Sequence, residues 1–212
     1  MKFKPLLGAK DDFPSNRKSA GERFTEILEV VTPNERTESA EHICDVLGVD
    51  DGDARVVLLY SLEEILRNVD DHADSPTNAI VHGQYFPAVD EVVIAIADTG
   101  QGVLRSLRSR HQELDSVEDA LQEAMKLQVS GRNTRKGTNA GVGLTITAEM
   151  MKHAKGSLEL YSGYAYLKAT ASGLKSAAEV GPWSGVLAIL CVHRDKGKWQ
   201  GVYDRAMKVL TP

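Results

Sequence analysis

Residues Ser61–Ala73 read S-L-E-E-I-L-R-N-V-D-D-H-A. Glu64 and Asn68 stand four residues apart, a spacing that stacks them on one helix face, and Asp71 follows on roughly the same face. Leu58, Leu62, Ile65 and Val69 recur at helical spacing as an adjacent apolar stripe. One helix can therefore pack into a core while showing a carboxylate, an amide and a second carboxylate to a neighbouring cavity. A solvated acidic helix face has the same pattern, and residues further along the chain decide between the two.

Upstream, Asp53 is placed to cap this helix, which the spacing runs from about Ala54 to about His72. V-D-D-G-D before it is a turn. An earlier helix starts at Thr32-Pro33-Asn34-Glu35: Thr32 caps, Pro33 suits the first helical position and Glu35 completes a capping box. Ala40, Ile43 and Leu47 give it a buried stripe, and Gly48 ends it. Arg23–Val31 fits a strand or a short helix, with alternation favouring the strand. Residues 1–20 mix Lys, Pro, Gly, Asp and Ser without periodicity and read as a flexible N-terminal arm.

Downstream, Asn78–Phe86 and Glu91–Ala97 read as two strands joined by the Pro87–Asp90 turn. The second, V-V-I-A-I-A, is continuous and β-branched, as in a sheet covered by helices. It runs into Asp98-Thr99-Gly100-Gln101-Gly102-Val103, a carboxylate at a strand end followed by glycines that let backbone approach a ligand. Leu104–Ala140 is polar and reads as a mobile lid containing one helix, Asp115–Gln128, with a capping box from Asp115 and Glu118. Gly141-Val142-Gly143-Leu144-Thr145 opens a helix to about His153, and glycines at a helix start leave N–H groups free for phosphate. Strands follow at 157–161, 165–169 and 185–193, with a Ser/Gly/Ala-rich loop at 170–184. Residues 199–212 form a short tail with some helical character.

The 212 residues suffice for one domain of good size or two small ones, and 42% hydrophobic with 26% charged residues is ordinary for a soluble globular protein. A net charge of −5 argues against nucleic acid as the main partner. Two cysteines, Cys44 and Cys191, sit in apolar patterns and read as reduced, buried thiols of a cytoplasmic protein. The start of the chain has no apolar run of signal-peptide length, and no stretch approaches a membrane span.

Four parts stand in order: the helix with Glu64 and Asn68, the strand ending Asp98-x-Gly100-x-Gly102, the polar lid, and Gly141-x-Gly143 at a helix start. Singly each is weak. Together they resemble the GHKL ATPase superfamily, which holds DNA gyrase, the heat-shock chaperone ATPases, the bacterial sensor histidine kinases and the mismatch-repair ATPases. The similarity covers roughly Thr32–Arg194. N-V-D-D-H-A looks like the N-x-x-x-H pattern of stand-alone histidine-kinase-like ATPase domains and anti-sigma-factor serine kinases. His42 lacks the neighbours of a phosphoacceptor histidine and reads as a plain helix residue.

The resemblance implies an α/β (α+β) two-layer sandwich of the Bergerat ATP-binding type. It would have a mixed β-sheet with helices on one face, spanning about 21–198, under an ATP lid at about 104–140. ATP and Mg²⁺ are the implied ligands. Asp98 would accept a hydrogen bond from the adenine exocyclic amine, where guanine would present an acceptor instead. Gly100, Gly102 and Val103 would line the base. Asn68 would offer its amide oxygen to Mg²⁺, a hard cation held mostly by phosphates and water, and Asp71 would act through water or support the lid. Glu64 would orient and deprotonate the nucleophile, with neighbouring Glu63 as the solvated control. Backbone N–H groups of Gly141, Val142, Gly143 and Leu144 and the Thr145 hydroxyl would hold phosphates, and a lid cation among Arg132, Arg135 and Lys136 would reach the terminal phosphate. One departure stands out: where the family places a Gly-Thr pair at the start of the last strand, this chain has Gly185-Val186, so the hydroxyl is missing or comes from Ser184.

Three functions fit. The first is an ATPase or ATP-switched regulatory module that works with a protein partner and no membrane. The second is an anti-sigma-type serine protein kinase. The third is a non-catalytic ATP-sensing interaction module. The N-terminal arm leaves a homodimer open.

Overall fold

The computed structural model describes residues 23–49, 52–109, 111–126, 142–178, 180–194 and 199–210. Helix α2, Gly52–Asn68, buries Leu58, Leu62 and Ile65 where their spacing puts them. It does not run unbroken to His72. After Asn68 the backbone widens into a π-helical turn, Val69–Ala73, which ends at Asp74 in the left-handed region, φ 46. Its end is set by a competing set of partners. The His72 carbonyl accepts from the Gln101 side chain (2.6 Å) and the Ala73 carbonyl from the Gln101 backbone N–H (2.7 Å), so neither needs a continuing helix. Past the wide turn the α-helical register no longer holds, and Asp71 is exposed while Glu64 is buried.

Helix α1, Pro33–Val46, has both bonds of its capping box. The Glu35 N–H donates to the Thr32 hydroxyl (3.3 Å), and the Thr32 N–H donates to the Glu35 carboxylate (2.9 Å).

Among the described residues, seven strands form one sheet: β1 (Leu28–Val30), β2 (Ala79–Phe86), β3 (Glu91–Ala97), β4 (Ser157–Gly163), β5 (Ala165–Thr170), β6 (Gly173–Ala177) and β7 (Trp183–His193). Their order is β1-β2-β3-β7-β4-β5-β6, and every neighbouring pair is antiparallel. The expected mixed sheet is thus corrected to an antiparallel one. β3 and β4 do run the same way across a helical crossover, but they are not neighbours. β7 lies between them, with Leu190 opposite both Ile94 and Leu158. Burial alternates along the strands. Val81, Val92, Ile94, Leu160, Leu167 and Leu190 face a single core shared with the helices, while Ile80, Val93, Ala95 and Ile189 on the other face stay half-exposed.

β6, Gly-Leu-Lys-Ser-Ala, lies inside the stretch expected to be a loop and carries no alternation of apolar and polar residues; it is held at the edge by β5. The lid segment contains helix α3 (Gly102–Arg108) and helix α4 (Val117–Ala124). Ser116, not Asp115, caps α4, accepting from the Asp119 N–H at 3.0 Å, so the helix is shorter than its expected span. Leu107, Leu114 and Ala120 form a small cluster, and Leu121 and Met125 join the main core. The rest of the expected lid, 127–140, and the expected N-terminal arm lie outside the described residues.

Helix α5 spans Gly143–His153. The C-terminal segment, read as a tail, buries Trp199, Val202 and Ala206 in the core, where helix α6 (Val202–Met207) packs on α5 and α2. Cys44 is buried and Cys191 only half-buried; both are free thiols. Among the described residues no helix is long and apolar enough to cross a membrane.

Candidate functional site

Asp98 ends β3 and is 2% exposed. One carboxylate oxygen accepts the Gly100 N–H (2.7 Å) and the other the Val186 N–H (3.2 Å). Its backbone carbonyl accepts the Trp183 indole N–H at 2.9 Å. Burial pushes the Asp98 acid above its ordinary pKa, and the two N–H donors oppose that rise. Each oxygen keeps a second lone pair with which to accept a further donor.

The glycines around Asp98 are there for closeness of backbone. A Cβ on Gly100 would stand 2.7 Å from the Ala73 carbonyl carbon, and one on Gly185 would stand 2.7 Å from the Asp98 carbonyl carbon. Gly102 starts α3 at φ 73, a conformation that disfavours other residues. The hydroxyl beside Gly185 comes from Ser162 on β4. It donates to the Gly185 carbonyl (2.8 Å) and accepts from the Val103 N–H (3.1 Å), while Ser184 is exposed.

Glu64 projects from α2 and is 7% exposed. Its Oε1 is paired with the Arg67 guanidinium one turn on. Its Oε2 faces Gly143 at the start of α5, where a Cβ would stand 2.9 Å from the Glu64 carboxyl carbon. Burial raises the Glu64 pKa, Arg67 opposes the rise, and Glu63 and Asp71 add to it. Glu63 points elsewhere and accepts the Thr37 hydroxyl of α1 at 2.9 Å.

Asn68 is half-buried at the end of α2, and Asp71 is exposed. Asp70 is paired with Arg36 of α1 at 2.8 Å. At the start of α5, Val142 and Gly143 are buried and Leu144 half-buried. The Thr145 hydroxyl donates to the Met125 carbonyl at 3.0 Å, which ties α5 to the end of α4. Gly141, Lys136, Arg132 and Arg135 lie outside the described residues. No group of three or more His, Cys, Asp or Glu side chains converges as a metal cage among the described residues.

Four segments far apart in sequence therefore meet. The end of α2 is tied to the Asp98 loop through Gln101, that loop is tied to β7 through Val186 and Trp183, and α2 touches α5 where Glu64 meets Gly143. Arg67, Ser162 and Trp183 join this site without having been singled out from the sequence. Arg67 had a signal, since it stands three residues after Glu64. Ser162 and Trp183 had none, because their reach depends on the β4–β7 register that sets Ser162 opposite Val186 and Gly163 opposite Trp183. No protein-family model matches the chain, and no curated protein matches it.

Proposed function

We propose that this chain is a Mg-ATP-binding domain of the GHKL type, built on a Bergerat-like fold, which hydrolyses ATP or transfers its terminal phosphate as a cytoplasmic signalling module with a protein partner. One junction carries the proposal: the buried Glu64 carboxylate meets the glycine start of α5, on a helix whose end is bonded to the loop of the buried Asp98. A base-binding acid, a metal-facing amide and a general base are assigned to one side of the molecule on that ground.

The residues fit the ligands in kind. Asp98 retains lone pairs for an exocyclic amine, and Asn68 is a neutral oxygen donor suited to Mg²⁺ held chiefly by phosphates. Bound Mg²⁺ would offset charge on the phosphates. Glu64 would accept the proton of a water or a partner's hydroxyl through Oε2, the oxygen that faces α5.

A second reading, an ATP sensor without turnover, is favoured by the Arg67 pairing of Glu64 and by the Thr145 hydroxyl being bonded to Met125. Glu64→Ala separates the two. The proposal expects turnover to fall about 100-fold or more with ATP binding retained. Unchanged turnover, or none in the parent, would contradict it.

A further inference from the structure

A carboxylate as buried as Glu64 is costly to keep ionised without a partner. Its partner comes from its own helix. Arg67 sits one turn on, with its guanidinium on Oε1, and is itself partly exposed. The other oxygen is turned to α5, where Gly143 leaves room that any side chain would fill. The two oxygens thus have separate surroundings, a cation on one and the glycine start of a helix on the other. Among the described residues the neighbouring groups are these. Glu63 and Tyr60 lie on α2 itself, Asp71 on the π-helical turn and Gly143 on α5. From α6, Tyr203 stacks edge-on to Tyr60 at 6.1 Å.

We infer that Arg67 is a positioning residue for the reaction assigned to Glu64: paired with Oε1, it holds the carboxylate rotated so that Oε2 faces α5. This inference rests on the reading of Glu64 as the base. The guanidinium is a planar fork of N–H donors with no acceptor, so it meets the carboxylate as a donor alone. Its removal leaves Glu64 to burial and to the negative charges of Glu63 and Asp71, all of which favour the protonated acid. A methionine fills the stem of Arg67 without the charge, and a lysine restores the charge without the planar fork.

The test reads Glu64 directly. The parent, Arg67→Met and Arg67→Lys are labelled with ¹³C at the glutamate side-chain carboxyl, and the Glu64 signal is assigned by its loss in Glu64→Gln. All are titrated without nucleotide, after circular dichroism shows that each is folded. The expected result is a higher Glu64 midpoint in Arg67→Met and one close to the parent in Arg67→Lys. In parallel, the acid limb of kcat for ATP turnover should move to higher pH in Arg67→Met, with kcat at neutral pH about tenfold lower and recovered at least in part by Arg67→Lys. An unmoved Glu64 midpoint in Arg67→Met, in a chain that turns over ATP, would overturn the inference and leave the function standing. A moved midpoint with an unmoved rate profile would overturn the positioning role. A parent that binds no ATP and turns over none would overturn the function itself, whatever the titration gives.

Discussion

Glu64 carries opposing influences in one side chain. Burial raises its pKa and Arg67 lowers it, with burial the larger. An acid whose pKa is higher folded than unfolded contributes stability at low pH, below its unfolded pKa, and that contribution is lost as pH rises through the folded pKa. Glu64→Gln removes the titration and keeps the shape. The stability of Glu64→Gln relative to the parent should therefore rise with pH as pH climbs above the ordinary glutamate range, about 4, in urea unfolding followed by circular dichroism. A difference that stays flat above that range would contradict the burial account. Asp98 has the same sign, also from burial. At this scale Glu64, Asp98, Gly100 and Gly143 were legible in the sequence, because each is a residue type whose chemistry shows in its neighbours. Arg67 became meaningful only once Glu64 was buried, which is a tertiary fact.

Among the elements, the junction of α2 with the β3 end is the most constrained. Gly100 lies so close to the Ala73 carbonyl that a methyl there must move backbone, not the end of a flexible side chain. Gly100→Ala is expected to cost about 1–3 kcal/mol in urea unfolding and to weaken nucleotide binding with it. A variant as stable as the parent would show that the junction is looser than described. Helix α1 and strands β2 and β3 could be read in advance since their caps and alternation are local. The π-helical turn and β6 could not. The turn ends where Gln101, far along the chain, takes the carbonyls of His72 and Ala73, and β6 exists because β5 offers it an edge. The mixed sheet came from the resemblance and not from any strand's own residues: a β-branched run reports burial, not whether the neighbour is parallel, and β7 arrives between β3 and β4 from the far end of the chain.

For the whole molecule, the chain closes on itself. β7 sits between β3 and β4, and the segment after it returns to pack on the helices that carry Glu64 and Gly143. Trp199, 2% exposed, donates its indole N–H to the His193 carbonyl at 2.8 Å. Trp199→Ala is expected to cost about 3–5 kcal/mol in urea unfolding, as for a fully buried large aromatic, where loss of a free tail would cost almost nothing. The measurement closest to the central claim is calorimetric titration of a non-hydrolysable ATP analogue with Mg²⁺ into the parent and into Asp98→Asn, with thermal unfolding confirming that the variant is folded. Asn keeps one acceptor oxygen and loses the charge and the second acceptor. The account predicts saturable binding to the parent that is lost or much weakened in Asp98→Asn; an absence of binding to the parent, or equal binding by both, would contradict it.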